Sequence, residues 1–131
     1  MSDGELRQLV RKHAPQLHWQ AIESGSTASG IPDLNYAAEG GIEGWVECKT
    51  TDGRRVTIRP MQIGWCERRL RFNPRVFCMV RQKRDTLWLF HASKLRELSE
   101  QRLDAVEPLG QWSGGPARWG WDQIARWLVS G

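Results

Sequence analysis

Two stretches, Ile31-Pro32-Asp33-Leu34-Asn35-Tyr36 and, after thirteen residues from Asp33, Glu47-Cys48-Lys49-Thr50, decide how this chain is read. Leu34-Asn35-Tyr36 and Trp45 to Thr50 have the apolar and β-branched character of strands, and Glu39-Gly40-Gly41-Ile42-Glu43-Gly44 can reverse the chain between them. A hairpin is predicted. Alternate residues of a strand share a face, so Glu47 and Lys49 project together while Val46 and Cys48 point the other way, into a core. Asp33, at the end of the preceding strand, can then be delivered beside Glu47.

Two carboxylates so placed form a hard-oxygen donor set suited to Mg²⁺, with Mn²⁺ able to substitute, and the Cys48 carbonyl is a candidate further ligand. Without a cation the pair repels itself and is hard to keep ionised, so Asp33 and Glu47 read as an incomplete site that metal completes. Lys49 can polarise a water or neutralise a phosphate under attack. The pattern therefore points to metal-dependent phosphodiester hydrolysis. The bland alternative is a surface hairpin with a Glu47–Lys49 ion pair contributing about 0 to 1 kcal/mol. The small-residue loop before the aspartate (Ser24 to Gly30) and the basic stretch after the lysine favour the catalytic reading.

That basic stretch is uneven in a way the net charge of +4 conceals. From Arg54 to Arg84 there are ten basic residues against one acid, Glu67, so the rest of the chain is net acidic. Arg54, Arg55, Arg59, Arg68, Arg69, Arg71, Arg75 and Lys83 are the candidate DNA contacts. Guanidinium forks suit phosphate oxygens, and neutralising a polyanion releases its counterions. The alternative for these charges is a solvated surface.

A length of 131 residues supports one domain with a core of its own, here residues 1–131 with a tryptophan-rich C-terminal extension over about 104–131. Cys48, Cys66 and Cys78 have no CxxC spacing and no paired histidines, which indicates neither disulfides nor zinc but buried reduced thiols. No apolar run reaches the length of about 18 residues needed for a membrane span, and Met1-Ser2-Asp3-Gly4-Glu5 is unlike a signal peptide. A cytoplasmic protein, nucleoid-associated or phage-encoded, is expected.

Along the chain, Ser2 or Asp3 can cap a first helix carrying Leu6, Leu9 and Val10 at helical spacing and ending before Pro15. Leu17 to Ile22 reads as a strand. After the hairpin, Arg54 to Ile58 either extends the sheet or loops, and Pro60 opens a second helix from Met61 to about Phe72. Val76 to Val80 and Leu87 to Phe90 are strands around the turn Arg81 to Asp85, and Ala92 to Gln101 is a helix. A last helix places Trp121, Ile124, Ala125 and Leu128 on one face.

From about Glu5 to Phe90 the sequence resembles the PD-(D/E)XK nuclease superfamily, and more narrowly its virus-type replication-repair nuclease (VRR-NUC) and archaeal Holliday junction resolvase branches. The resemblance rests on an ordered series: Glu5, the loop from Ser24 to Gly30, Asp33, Glu47, Lys49 and Gln62. It implies an α/β, restriction-endonuclease-like fold, a mixed central sheet of about five strands flanked by helices, and Mg²⁺-dependent cleavage at one end of it. It also implies catalytic-site places for Glu5, Gln62 and a loop serine, taken as Ser26 among Ser24, Ser26, Thr27 and Ser29. Branched DNA such as a Holliday junction is the implied substrate. Symmetric cleavage of a four-way junction calls for two sites about a two-fold axis, hence a homodimer.

Each of these places has a plainer reading. Glu5 can simply favour the positive end of a helix, and Gln62 can be a solvated residue near a helix start. His13, His18 and His91 have no motif-spaced partners, so no histidine base is expected. Of the eight tryptophans, Trp45, Trp65 and Trp88 are expected to pack in the core, while Trp112 and Trp119 can pack or stack on bases. Two other functions remain open: a restriction-like or homing-type endonuclease cutting a specific duplex site, and a nucleic-acid-binding module of the same fold that does not cut.

Overall fold

The computed structural model describes residues 1–22 and 30–131. Six strands form one sheet in sequence order: β1 (His18–Ala21), β2 (Leu34–Ala38), β3 (Ile42–Thr51), β4 (Val76–Gln82), β5 (Thr86–His91) and β6 (Gly110–Trp112). Every neighbouring pair is antiparallel except β3 and β4, whose parallel pairing needs a crossover. Helix α2 (Pro60–Arg69) makes it. The other helices are α1 (Asp3–His13), α3 (Leu95–Glu100) and α4 (Trp121–Ser130).

The sheet is covered on both faces. Leu6 and Val10 of α1 and Ile124 and Leu128 of α4 pack with Val46, Cys48, Phe77, Met79, Leu87 and Leu89 on one face. Ile63 and Cys66 of α2 and Leu95 and Leu98 of α3 pack with Val76, Cys78, Val80 and Phe90 on the other. Strand β4 is therefore buried from Val76 to Arg81, as expected of a central strand with both faces covered. The three cysteines are free and buried, one in the first layer and two in the second.

Local sequence explains most element ends. The Ser2 hydroxyl accepts the Glu5 N–H and caps α1, and Pro60 stands at the start of α2, where a missing N–H costs nothing. Strand β3 begins at Ile42, earlier than the expected Trp45, because Ala38, Ala37 and Tyr36 pair with Ile42, Glu43 and Gly44. Gly44 is required there: a Cβ would lie 2.2 Å from the Tyr36 hydroxyl oxygen. Residues 54–58 form a loop with Val56 and Ile58 turned into the core. The expected helix over Ala92–Gln101 divides into a 3₁₀ turn, Ala92–Lys94, and α3, while α2 stops at Arg69 instead of continuing to Phe72.

The tryptophan-rich tail carries a strand that its sequence does not announce. Gly110, Gln111 and Trp112 pair with Leu89, Trp88 and Leu87, and three residues are too few for an alternating pattern to show. Helix α4 is moored by the Tyr36 hydroxyl, which donates to the Leu128 carbonyl, and by Arg75 Nε, 2.8 Å from the Val129 carbonyl. No described helix is long and apolar enough to cross a membrane. Tyr36 is fully buried, so Tyr36→Phe leaves a buried carbonyl short of its donor. This variant should lose about 1–3 kcal/mol, read as a lower urea midpoint at unchanged m.

Candidate active site

The site arises where β3 outruns its antiparallel partner. Register pairs Leu34, the first residue of β2, with Val46, so from Glu47 onward β3 is paired by β4 on one side and lacks β2 on the other. The Asp33 carboxylate fills the vacated position: Oδ2 accepts the Cys48 N–H at 3.0 Å, and the Asp33 N–H donates to Glu47 Oε1 at 3.2 Å. Strand N–H and C=O groups of one residue point the same way, so the Cys48 carbonyl also faces this cleft and not β4. The Cys48 side chain is buried in the layer under α1.

Glu47 and Lys49 lie on the opposite face, the one covered by α2. Their common partner is Gln62, buried in the first turn of that helix. Gln62 Nε2 donates to Glu47 Oε2 at 2.7 Å, and Gln62 Oε1 accepts from Lys49 Nζ at 3.0 Å and from the Arg59 N–H at 3.0 Å. Lys49 Nζ is also 3.4 Å from Glu47 Oε2. The amide therefore has one consistent orientation, oxygen toward two donors and nitrogen toward the carboxylate. Gly30 holds this arrangement close: its φ is +83°, and a Cβ there would lie 2.1 Å from the Met61 carbonyl oxygen. The chain entering Asp33 is thus pressed against the start of α2.

From the α1 face come two residues to which the sequence reading gave no place in the site. Arg7 Nη1 lies 3.6 Å from Asp33 Oδ1, and Asp3 Oδ1 accepts the Thr50 hydroxyl at 2.7 Å. Asp3 and Arg7 are four apart and share a side of the helix. Glu5 does not join them: it is exposed, 3.8 Å from the Met1 amino group, and borders a groove with Lys12 and Arg84. The apolar stripe explains the difference. Counting Leu9 with Leu6 and Val10 turns the inward direction toward Glu5, but only Leu6 and Val10 are fully buried, which turns it toward Asp3. Ser26, with the other loop candidates, lies outside the described residues.

The basic residues do not form one surface. Arg54 and Arg55 follow β3, Arg59 precedes α2 and Lys83 follows β4, all exposed at the end of the sheet that holds Asp33, Glu47 and Lys49. Arg68, Arg69, Arg71 and Arg75 lie toward the far end of α2, about 15 Å away along a ten-residue helix. There Arg69 stands over the Trp45 and Trp65 rings, at 5.2 and 4.7 Å, and Arg75 holds α4. The expected packing of Trp45, Trp65 and Trp88 is observed, and Trp119 is buried as well. His13 stacks on Trp121 and His91 bonds Ser93 and the Pro74 carbonyl, so neither reaches the site.

Burial of Glu47, followed by its proximity to Asp33, raises its pKa to about 7, and Lys49 only partly offsets this. The site is thus short of positive charge, the condition that a divalent cation relieves. Among the described residues no three His, Cys, Asp or Glu side chains gather into a metal cluster. The donor set that fits is Asp33, Glu47 and the Cys48 carbonyl, all oxygen, as Mg²⁺ prefers.

No family model matches the sequence, and no curated protein matches it either. Among solved structures, the chain is similar to Hjc, a Holliday junction resolvase from the archaeal hyperthermophile Archaeoglobus fulgidus. The two share 13% identity with a TM-score of 0.52, over 68% of this chain and 74% of that one. The chain has the restriction-endonuclease-like fold. This is the mixed α/β sheet flanked by helices expected from the sequence, with a sixth strand supplied by the tail.

Unfolded Glu47 loses its proton near 4.5, whereas in the folded, metal-free protein it keeps it to about 7. Between those values the native state binds more protons than the unfolded state, so stability falls as pH rises, by about 3 kcal/mol at most. Glu47→Gln should remove that fall. Thermal unfolding of both proteins in EDTA across this range checks it, and parallel curves would refute it.

Proposed function

We propose that this protein is a divalent-metal-dependent DNA endonuclease of the PD-(D/E)XK superfamily. The observation that carries the reading is the interlocked group at the split in the sheet, in which Asp33 and Glu47 share backbone and side-chain hydrogen bonds while Gln62 ties Glu47 to Lys49. Its likeness in fold to a resolvase supports it.

In this reading Asp33, Glu47 and the Cys48 carbonyl hold Mg²⁺, or Mn²⁺ in its place. Bound there, the ion would supply Lewis acidity to the scissile phosphate and to a water. Lys49, held by Gln62 and Glu47, directs its ammonium at the phosphate and offsets the charge that grows as water attacks phosphorus and the leaving oxygen departs. Gln62 keeps Lys49 from collapsing fully onto Glu47. Asp3 and Arg7 support the site from α1, Arg7 by holding Asp33 and offering a guanidinium to the phosphate. Arg54, Arg55, Arg59 and Lys83 grip the DNA backbone at the same end.

The substrate in this reading is branched DNA of the Holliday junction type, cut by a homodimer whose two sites face the two strands. Residues 1–131 act as one nuclease domain, tail included, and the setting is the cytoplasm, at the nucleoid or on phage DNA.

Asp33→Asn and Lys49→Ala should each lower Mg²⁺-dependent cleavage by about a hundred-fold or more while leaving DNA binding in Ca²⁺ largely intact. A panel of labelled four-way junction, flap, single-stranded and linear DNAs, with Mg²⁺ and Mn²⁺, is the assay, and a wild-type protein inert on all of them ends the nuclease reading. A second comparison separates the two acids of α1. Asp3→Asn should slow cleavage about ten-fold or more and Glu5→Gln should leave it within about two-fold, measured as single-turnover rates.

A further inference from the structure

The turn between β4 and β5 is strained. Lys83 and Arg84 have φ of 51° and 67°, and they are the only non-glycine residues with positive φ among those described. Two successive left-handed residues suit Asn-Gly; side chains like these resist the conformation. Yet both side chains are exposed, and neither forms an ion pair with a described residue. Nothing within the fold rewards their presence at these two positions.

The turn is held from beneath by a dedicated set of contacts. Arg81 is buried, donates from Nε to the Arg84 carbonyl at 2.9 Å and lies 5.5 Å from the Trp119 ring. The Asp85 carbonyl accepts twice from the tail, from Trp119 Nε1 at 2.8 Å and from the Gly115 N–H at 2.9 Å. On the other side the Lys83 N–H donates to the Thr51 carbonyl at the end of β3, at 3.0 Å. The tryptophan-rich tail thus clamps the turn, and it does so with a buried guanidinium that has no carboxylate within ion-pair distance among the described residues.

The position matters as much as the strain. Val80 pairs with Lys49, so Lys83, one residue past the end of β4 and three beyond Val80, lies about 10 Å beyond the Lys49 level. Beside it, Arg84 and Lys12 border the groove of about 380 Å³ between α1 and the turn. Strain retained at an exposed, doubly cationic turn beside a phosphate-handling site points to a ligand that is anionic and extended.

We propose that Lys83-Arg84 is a preformed contact for a nucleic-acid backbone running past the Asp33, Glu47 and Lys49 site. Trp119 and Arg81 are its positioning residues. This rests on the protein binding DNA at this end of the sheet, as proposed above, and assigns the tail a role in DNA binding that it performs without touching DNA.

The test uses labelled four-way junction and duplex DNA, bound in Ca²⁺ over a salt series, with thermal unfolding of every variant. Lys83→Asn combined with Arg84→Gly relieves the strain and removes both charges. It should leave the melting temperature unchanged or raise it, weaken binding about ten-fold or more near 0.1 M salt and reduce the salt slope by about two. Trp119→Phe keeps a ring under Arg81 but loses the donor to Asp85. It should weaken binding and lower the salt slope in the same direction, and adding it to the double variant should cause no further loss.

Wild-type affinity and slope in the double variant overturn the proposal. A Trp119→Phe protein that melts lower yet keeps the wild-type slope overturns the positioning role. A wild type that binds but never cuts ends the nuclease reading and leaves this one standing; a wild type that binds no DNA ends both.

Discussion

The whole site depends on one interruption of backbone pairing. Strand β3 continues past the start of β2, and the Cys48 N–H, which would otherwise be a buried donor without an acceptor, is taken by the Asp33 carboxylate. A buried unmade hydrogen bond costs about 1–3 kcal/mol, so the fold itself demands an acceptor at position 33. The same interruption opens the sheet, and it is only there that groups from the α1 layer and the α2 layer can meet. Asp33 is the meeting point: Arg7 approaches from one side, while Glu47 and Gln62 belong to the other.

Glu47 shows the tension such a site carries. It is 4% exposed, lies against a second carboxylate and has its pKa raised to about 7, although Lys49 and two hydrogen-bond donors, the Asp33 N–H and Gln62 Nε2, surround it. A structure optimised for stability alone would place an apolar residue at this point. The lysine cannot neutralise both acids while it is also bonded to Gln62, and the remaining negative charge defines what the site accepts. In the proposed reading stability and chemistry therefore oppose each other at one residue, as is common where ionisable groups of a functional site are buried.

The tail and the basic stretch both change meaning once folded. The arginine-rich segment, continuous in sequence, is divided by α2 and β4 between opposite ends of the sheet, because a helix and a strand each carry the chain across the domain. Only the group at the β3 and β4 ends shares a side with the carboxylates. Conversely, the tail, which has no catalytic residue type in a suggestive spacing, completes the sheet with β6, seals one face with α4 and braces the turn through Trp119.

By itself the sequence determined the features whose causes are local. Ser2 and Pro60 mark helix starts through capping and a fixed φ, strand alternation puts Glu47 and Lys49 on one face with Cys48 on the other, and the order of Asp33, Glu47, Lys49 and Gln62 names the group that the fold assembles. Tertiary structure decided everything that depends on which surface meets which. Leu9 and Leu6 are equivalent as letters, yet only docking on the sheet shows that Leu6 and Val10 point inward, and this selects Asp3 and Arg7 over Glu5. Three-residue β6 exists because β5 offers an edge, and the left-handed Lys83-Arg84 turn exists because buried donors hold its carbonyls. Periodicity and capping act over a few residues and leave a mark in the sequence; burial and cross-chain hydrogen bonds act between distant residues and do not.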